Sequence, residues 1–161
     1  MMALSKIRNV GVALLAAAFV IAVPVQAHHS FSIFDSEVTR VFTGVVTRVN
    51  PDANHLQIFF APMNAERKNV ERTADGKPVV WAVEMTGSAQ SARDGISVSS
   101  FPPGTIMSVA LHPLRSGEPA GAREGGLFKC PEKTPPAPGM HCDSVEGHTA
   151  LSTEALPVPT E

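Results

Sequence analysis

The chain has 161 residues, of which 13 are basic and 15 acidic, with eight Phe, one Trp and no Tyr. That length suits one domain. A net acidic chain is a poor partner for nucleic acid, whose phosphates reward clustered Lys and Arg. Without Tyr, many sugar-stacking designs are excluded.

Met1 to Ala27 carries the three parts of a cleavable secretory signal. Lys6 and Arg8 make a short basic start, and Val10 to Val23 is an apolar run softened only at Gly11. Pro24 breaks any helix there, and Val25-Gln26-Ala27 puts small residues where a signal peptidase reads. The alternative is a membrane anchor, but a bilayer needs about 20 apolar residues and this run is shorter. Cleavage between Ala27 and His28 is therefore expected, with a periplasmic or secreted address. No second apolar run follows, so the mature form is not expected to span a membrane. Losing Lys6 and Arg8 takes the net charge from −2 to −4.

Residues 28–40 read as a polar lead-in, with Phe31, Ile33 and Phe34 as docking residues. Val41 to Val49 reads as a first strand, rich in Val and Thr, with Gly44 marking a bulge or bend. A turn cluster, Asn50 to Asn54, leads to a second strand, His55 to Ala61. There Leu56, Ile58 and Phe60 face one way and His55, Gln57 and Phe59 the other. Pro62 to Lys77 is polar, with Val70 as its one core residue. Val79 to Met85 alternates as a third strand: Val79, Trp81, Val83 and Met85 against Val80, Ala82 and Glu84. Ser88 to Asp94 makes one or two helical turns, capped by Ser88 and ended by Gly95.

After the Pro102-Pro103-Gly104 turn, Thr105 to Leu111 is a fourth strand, with Met107, Val109 and Leu111 on one side. Ala120 to Lys129 is a fifth. The barrel domain thus runs over 41–130. Residues 131–161 form a Pro-rich tail, stapled by a disulfide and partly disordered. This order fits a mainly β fold, a small five-stranded Greek-key barrel of the OB type with a short helix between strands 3 and 4. A small β-sandwich is the alternative.

Three groups of residues could carry chemistry. Cleavage before His28 frees an α-amine beside an imidazole. Amine and ring nitrogen can chelate one metal, and His29 adds a second imidazole. Such nitrogen-rich sites favour Cu(II). His55, at a strand start, is the first choice for a third imidazole, and His112 the alternative. Solvated histidines with no metal are the plainer reading. Cys130, His141, Cys142 and His148 offer a zinc set, but an oxidising compartment favours a Cys130–Cys142 disulfide. Glu84 could bind a cation or act as a base, though strand alternation turns it toward solvent. No nucleophile elbow or phosphate-cradling Gly-rich loop is present.

His28-His29-Ser30-Phe31, Phe34-Asp35, the Thr43-to-Val49 run, Asn50-Pro51, Trp81-Ala82-Val83-Glu84 and Pro103-Gly104-Thr105 resemble a group of small exported bacterial proteins. They are known as the domain-of-unknown-function family 6152. The resemblance covers roughly His28 to Lys129. It departs where Asp52-Ala53-Asn54 separates Pro51 from His55, and where Thr105 replaces the family's Asp. The cysteine tail is an elaboration shared by only some members. The resemblance implies a periplasmic β-barrel and carries no established activity.

Three functions follow as expectations. The first is a non-enzymatic periplasmic binding module taking copper at His28, His29 and His55. The second is an envelope structural or interaction protein contacting a partner through the barrel or tail, without a metal. The third, a copper-dependent oxidative enzyme, ranks last, because no shaped substrate surface is legible.

Overall fold

The computed structural model describes residues 31–51 and 54–160. Strand β1 spans Arg40–Asn50, β2 His55–Pro62 and β3 Trp81–Gly87. Helix α1 (Ser88–Arg93) precedes β4 (Ile106–Pro113), β5 (Ala120–Lys129) and the short β6 (Thr149–Ala150). β1 pairs antiparallel with β2 and with β4, β2 pairs with β3, and β4 pairs with β5. Parallel pairing of Ala82, Val83 and Glu84 with Ala120, Gly121 and Ala122 joins β3 to β5 and closes the ring. The protein is a closed five-stranded barrel of OB-like type, with β6 added beside β5. Closure through β3 and β5 excludes the sandwich, which needs two separate sheets.

The period-2 pattern builds this barrel by turning one face of each strand inward. Leu56, Ile58 and Phe60 of β2, Val83 and Met85 of β3, and Met107, Val109 and Leu111 of β4 all lie in one buried cluster. Ile96 and Phe101, from the connection between α1 and β4, join it. Helix α1 is fixed by Ser91, whose hydroxyl donates to the Thr86 carbonyl at 2.9 Å. Its N-cap is Gly87 rather than Ser88, and the Ser88 hydroxyl donates to the Asn54 carbonyl instead. Gly95 ends the helix as expected, at φ +74 with its N–H on the Ala92 carbonyl. Val70, expected as the one core residue of the 62–77 connection, is only partly buried, and the buried residue there is Met63, which bridges to it.

Gly44 is not at the bulge. The β1–β2 register shifts between Val46 and Arg48. Gly44 instead stands where β1 is paired on both sides, with Pro62 and with Met107. A Cβ there would lie 2.6 Å from Phe60 Cδ2 and 2.8 Å from the Ala61 carbonyl oxygen. Close approach of β2 is what demands glycine. Gly121 is tighter still, since a Cβ would lie 2.4 Å from the His112 carbonyl oxygen and 2.6 Å from Leu111 Cδ1. Backbone cannot yield there without parting β4 from β5. Gly121→Ala is therefore expected to cost about 1–3 kcal/mol, read as a lower urea midpoint. An unchanged midpoint would show that the strands separate freely.

Residues 131–160, read from the sequence as a partly irregular tail, run as a strap along the barrel. Cys130 and Cys142 form a disulfide. The Cys142 N–H donates to Ser108 Oγ at 2.8 Å, and Leu151 N–H donates to the Leu127 carbonyl at 2.9 Å. Gly126 N–H reaches the Ala155 carbonyl at 3.1 Å, and Thr39 N–H reaches Thr160 Oγ1 at 2.7 Å. Its presence explains β4, where Ser108 and Ala110 on the outer face are as fully buried as Met107, Val109 and Leu111 on the inner one. A strand covered on both sides shows no alternation in burial. At the other end of the chain, Phe34 docks and is buried, while Ile33 is about half exposed at 51%. The Phe31 side chain, His28 and His29 lie outside the described residues, as do the proposed cleavage point after Ala27 and the whole leader.

Candidate functional site

His55 opens β2, and Glu84 is the middle residue of β3. Glu84 pairs in register with Gln57, so His55 is its diagonal neighbour on the outer face. Side chains in that relation reach each other across two strands. A register irregularity between His55 and Gln57 accompanies the contact. His55 Nδ1 and Glu84 Oε1 are 2.6 Å apart, with both side chains partly exposed. The two residues share a cavity of about 80 Å³ with Phe34, Met85, Thr86, Ala122 and Arg123. The pair stands beside the place where β3 and β5 cease to pair, past Glu84 and Ala122. Alternation correctly put Glu84 on the outer face. It did not reveal the histidine partner, because that depends on strand register.

His112 is engaged on both sides. Nδ1 lies 2.9 Å from the Val38 carbonyl, and Nε2 lies 2.6 Å from Glu124 Oε2. Glu124 also accepts from Thr39 Oγ1 at 3.0 Å. This cluster ties the lead-in to β4 and β5. His148 Nδ1 donates to the Val145 carbonyl, and its ring meets Phe128 edge-on at 5.6 Å between centroids. The zinc set fails on its cysteines, since both thiols are spent in the disulfide. Among the described residues, no group of three or more His, Cys, Asp and Glu is arranged to hold a metal.

His141 is a structural histidine. Its Nδ1 shares a hydrogen bond of 2.8 Å with Thr43 Oγ1, which in turn bonds the Ser108 hydroxyl at 2.7 Å. Burial holds its pKa below the ordinary 6.5, the Arg67 charge adds to that, and Asp143 opposes it. The unfolded chain therefore takes a proton at a higher pH than the folded chain does. The contribution of His141 to stability is whole above about pH 6.5 and is lost as pH falls through the lowered folded value. His141→Gln is expected to flatten that part of the stability curve. Urea midpoints measured on both sides of this window, for both proteins, check it. Equal slopes in the two would refute the assignment.

No helix among the described residues is long and apolar enough to cross a membrane. Neither the curated proteins nor the solved structures offer a match to this chain. A match does come from a family of unknown function, over residues 17–123. It takes in β1 to β4, the His55–Glu84 pair and Arg123, and it stops before the Cys130–Cys142 strap. With about two-thirds of its length matched, the chain belongs to the family of unknown function DUF6152.

Proposed function

We propose that this protein is an exported, periplasmic binding module that takes copper through its mature N-terminus. The His28 amine and ring nitrogen form a chelate, His29 stands next in the chain, and His55 supplies an imidazole from the barrel. The observation that carries this reading is the 2.6 Å contact between His55 Nδ1 and Glu84. A metal-binding histidine commonly gives its second nitrogen to a carboxylate, which fixes the ring and raises its basicity. With Nδ1 held by Glu84, Nε2 is the nitrogen left for a ligand. An α-amine titrates near about 8, so it yields its proton to a metal more readily than a lysine does.

Two further points support the choice of His55. Phe34 lines the same cavity as His55. Six residues of chain extend about 20 Å at most, so His28 is tethered within that distance of Phe34. His112, the other candidate, has a backbone carbonyl on one nitrogen and a carboxylate on the other. It would have to break one of these contacts to bind a metal.

Calorimetric titration of Cu(II) into the mature protein, begun at His28, tests the third ligand. His55→Gln is expected to weaken binding at least about tenfold, and His112→Gln to leave it unchanged. Loss on His112→Gln with none on His55→Gln would reverse the assignment. No loss with either would leave the terminus without a ligand from the fold and favour an interaction protein.

A further inference from the structure

The strap carries a short proline ridge between its two cysteines. Thr134-Pro135-Pro136-Ala137 is neither helix nor strand, and Pro138 opens a turn. The proline rings fix φ at their own positions, and the residue before each proline is pushed into the extended region. Polyproline II is the conformation that satisfies both constraints. A turn closes each end. Thr134 N–H donates to the Pro131 carbonyl at 3.1 Å, with Lys133 at φ +55. Met140 N–H donates to the Ala137 carbonyl at 2.9 Å, with Gly139 at φ +74. This is the type II geometry, whose first central residue, Pro138, continues the extended path. Gly139 N–H also reaches the Ala65 carbonyl at 3.1 Å, and Arg67 Nε donates to the Met140 carbonyl at 3.0 Å. With the Cys130–Cys142 disulfide behind it, the ridge is fixed at both ends.

Polyproline II repeats roughly every three residues. Pro136 is buried, while Thr134, Pro135, Ala137 and Pro138 are exposed. Pro135 and Pro138 therefore share one outward face, and Thr134 and Ala137 share the other. Both X-Pro pairs, Thr134-Pro135 and Ala137-Pro138, are presented to solvent. Grooves lined with aromatic rings read this pattern, and a preformed ridge loses little entropy on docking. Glu132 and Lys133 face each other at 3.5 Å, so the ridge carries no net charge and offers apolar contact, extended by Met140 at 48% exposure. The family match ends at residue 123, so the ridge lies outside the matched region. We propose that the strap is a docking element, which seats its two X-Pro pairs in an aromatic-lined groove of a partner protein. The ridge needs neither copper nor the N-terminal amine.

Purified SH3, WW and EVH1 domains, which carry such grooves, serve as probes. Each is titrated into the isotope-labelled, oxidised mature protein, and the N–H resonances of Thr134, Ala137, Gly139 and Met140 are followed. At least one probe is expected to shift them saturably, with little dependence on salt. Pro135→Ala and Pro138→Ala are each expected to weaken that binding at least about tenfold, as loss of an interface anchor does. Both positions are exposed, and an unchanged exchange rate of the Leu151 N–H, which donates to the Leu127 carbonyl, shows that the strap stays seated in each variant. No saturable shift with any of the three probes overturns the proposal. Shifts confined to the barrel, or surviving both substitutions together, overturn the assignment to the ridge. Shifts produced by anionic phospholipid vesicles and by none of the domains overturn the protein partner in favour of a membrane surface.

Discussion

Replacing Cys130 and Cys142 together by Ala is expected to lower the stability by about 3 kcal/mol, the loop-closure value for a loop of this size. The two residues are 12 apart in sequence, and both sulfurs sit in a small cluster with Phe128. The bond also anchors the strap where it meets the barrel. From Cys142 a chain of hydrogen bonds runs through Ser108 and Thr43 to His141, with steps of 2.8, 2.7 and 2.8 Å. Without the staple, those bonds and the strap's other contacts with the barrel must offset its ordering entropy. Urea unfolding of the variant, and of the wild type under reductant, measures the loss. Reduction leaves the buried sulfurs in place, so agreement between the two assigns the effect to the crosslink. A midpoint unchanged in both would mean that the strap is held by its other contacts alone.

Phe60→Ala is expected to cost about 3–5 kcal/mol. Phe60 is fully buried, and its ring meets that of Phe42 at 5.7 Å between centroids. The surrounding walls are hydrogen-bonded strands of a closed barrel, which cannot collapse into the space left behind. Gly44 faces the same ring, since a Cβ at that position would come 2.6 Å from Phe60 Cδ2. The two sites must therefore couple. Gly44→Ala should cost less in the Phe60→Ala protein than in the wild type, although the Ala61 carbonyl at 2.8 Å keeps part of the penalty. Chemical denaturation of the four proteins gives the coupling. Strict additivity would show that Gly44 is held by the backbone contact alone.

The barrel was legible because its inner faces obey one local rule. Leu56, Ile58 and Phe60 announce a half-buried strand whatever they pair with, and so do Met107, Val109 and Leu111. The place of Gly44 was legible only in part. Its presence in a strand signalled a constraint, but whether a bulge or a neighbour imposes it depends on where β2 crosses. The strap was hidden for a related reason. Its Pro-rich sequence has no periodicity, and the backbone groups it satisfies belong to residues far away in the chain. Its effect on β4 was hidden too, because Ser108 reads as an outward polar residue. It is instead the acceptor for the Cys142 N–H.

The candidate site divides in the same way. His55 and Glu84 each stood out singly, one as a strand-end imidazole and the other as an acid near a barrel mouth. Their contact is a matter of register between β2 and β3. His112 looked equivalent to His55 by position, but two contacts, with Val38 and Glu124, set it apart. Arg123 carried no signal at all. A basic residue in a Gly-rich strand reads as exposed, yet Arg123 is partly buried, with its Nη1 fully so.

The proposed copper site depends on the free amine of His28. The most direct test is electron paramagnetic resonance of one equivalent of Cu(II) on the mature protein, compared with the same protein carrying one extra Ala before His28. The native terminus is expected to give a single nitrogen-rich Cu(II) signal, and the extended one to lose that signal and bind much more weakly. Identical spectra and equal affinity in the two proteins would contradict it.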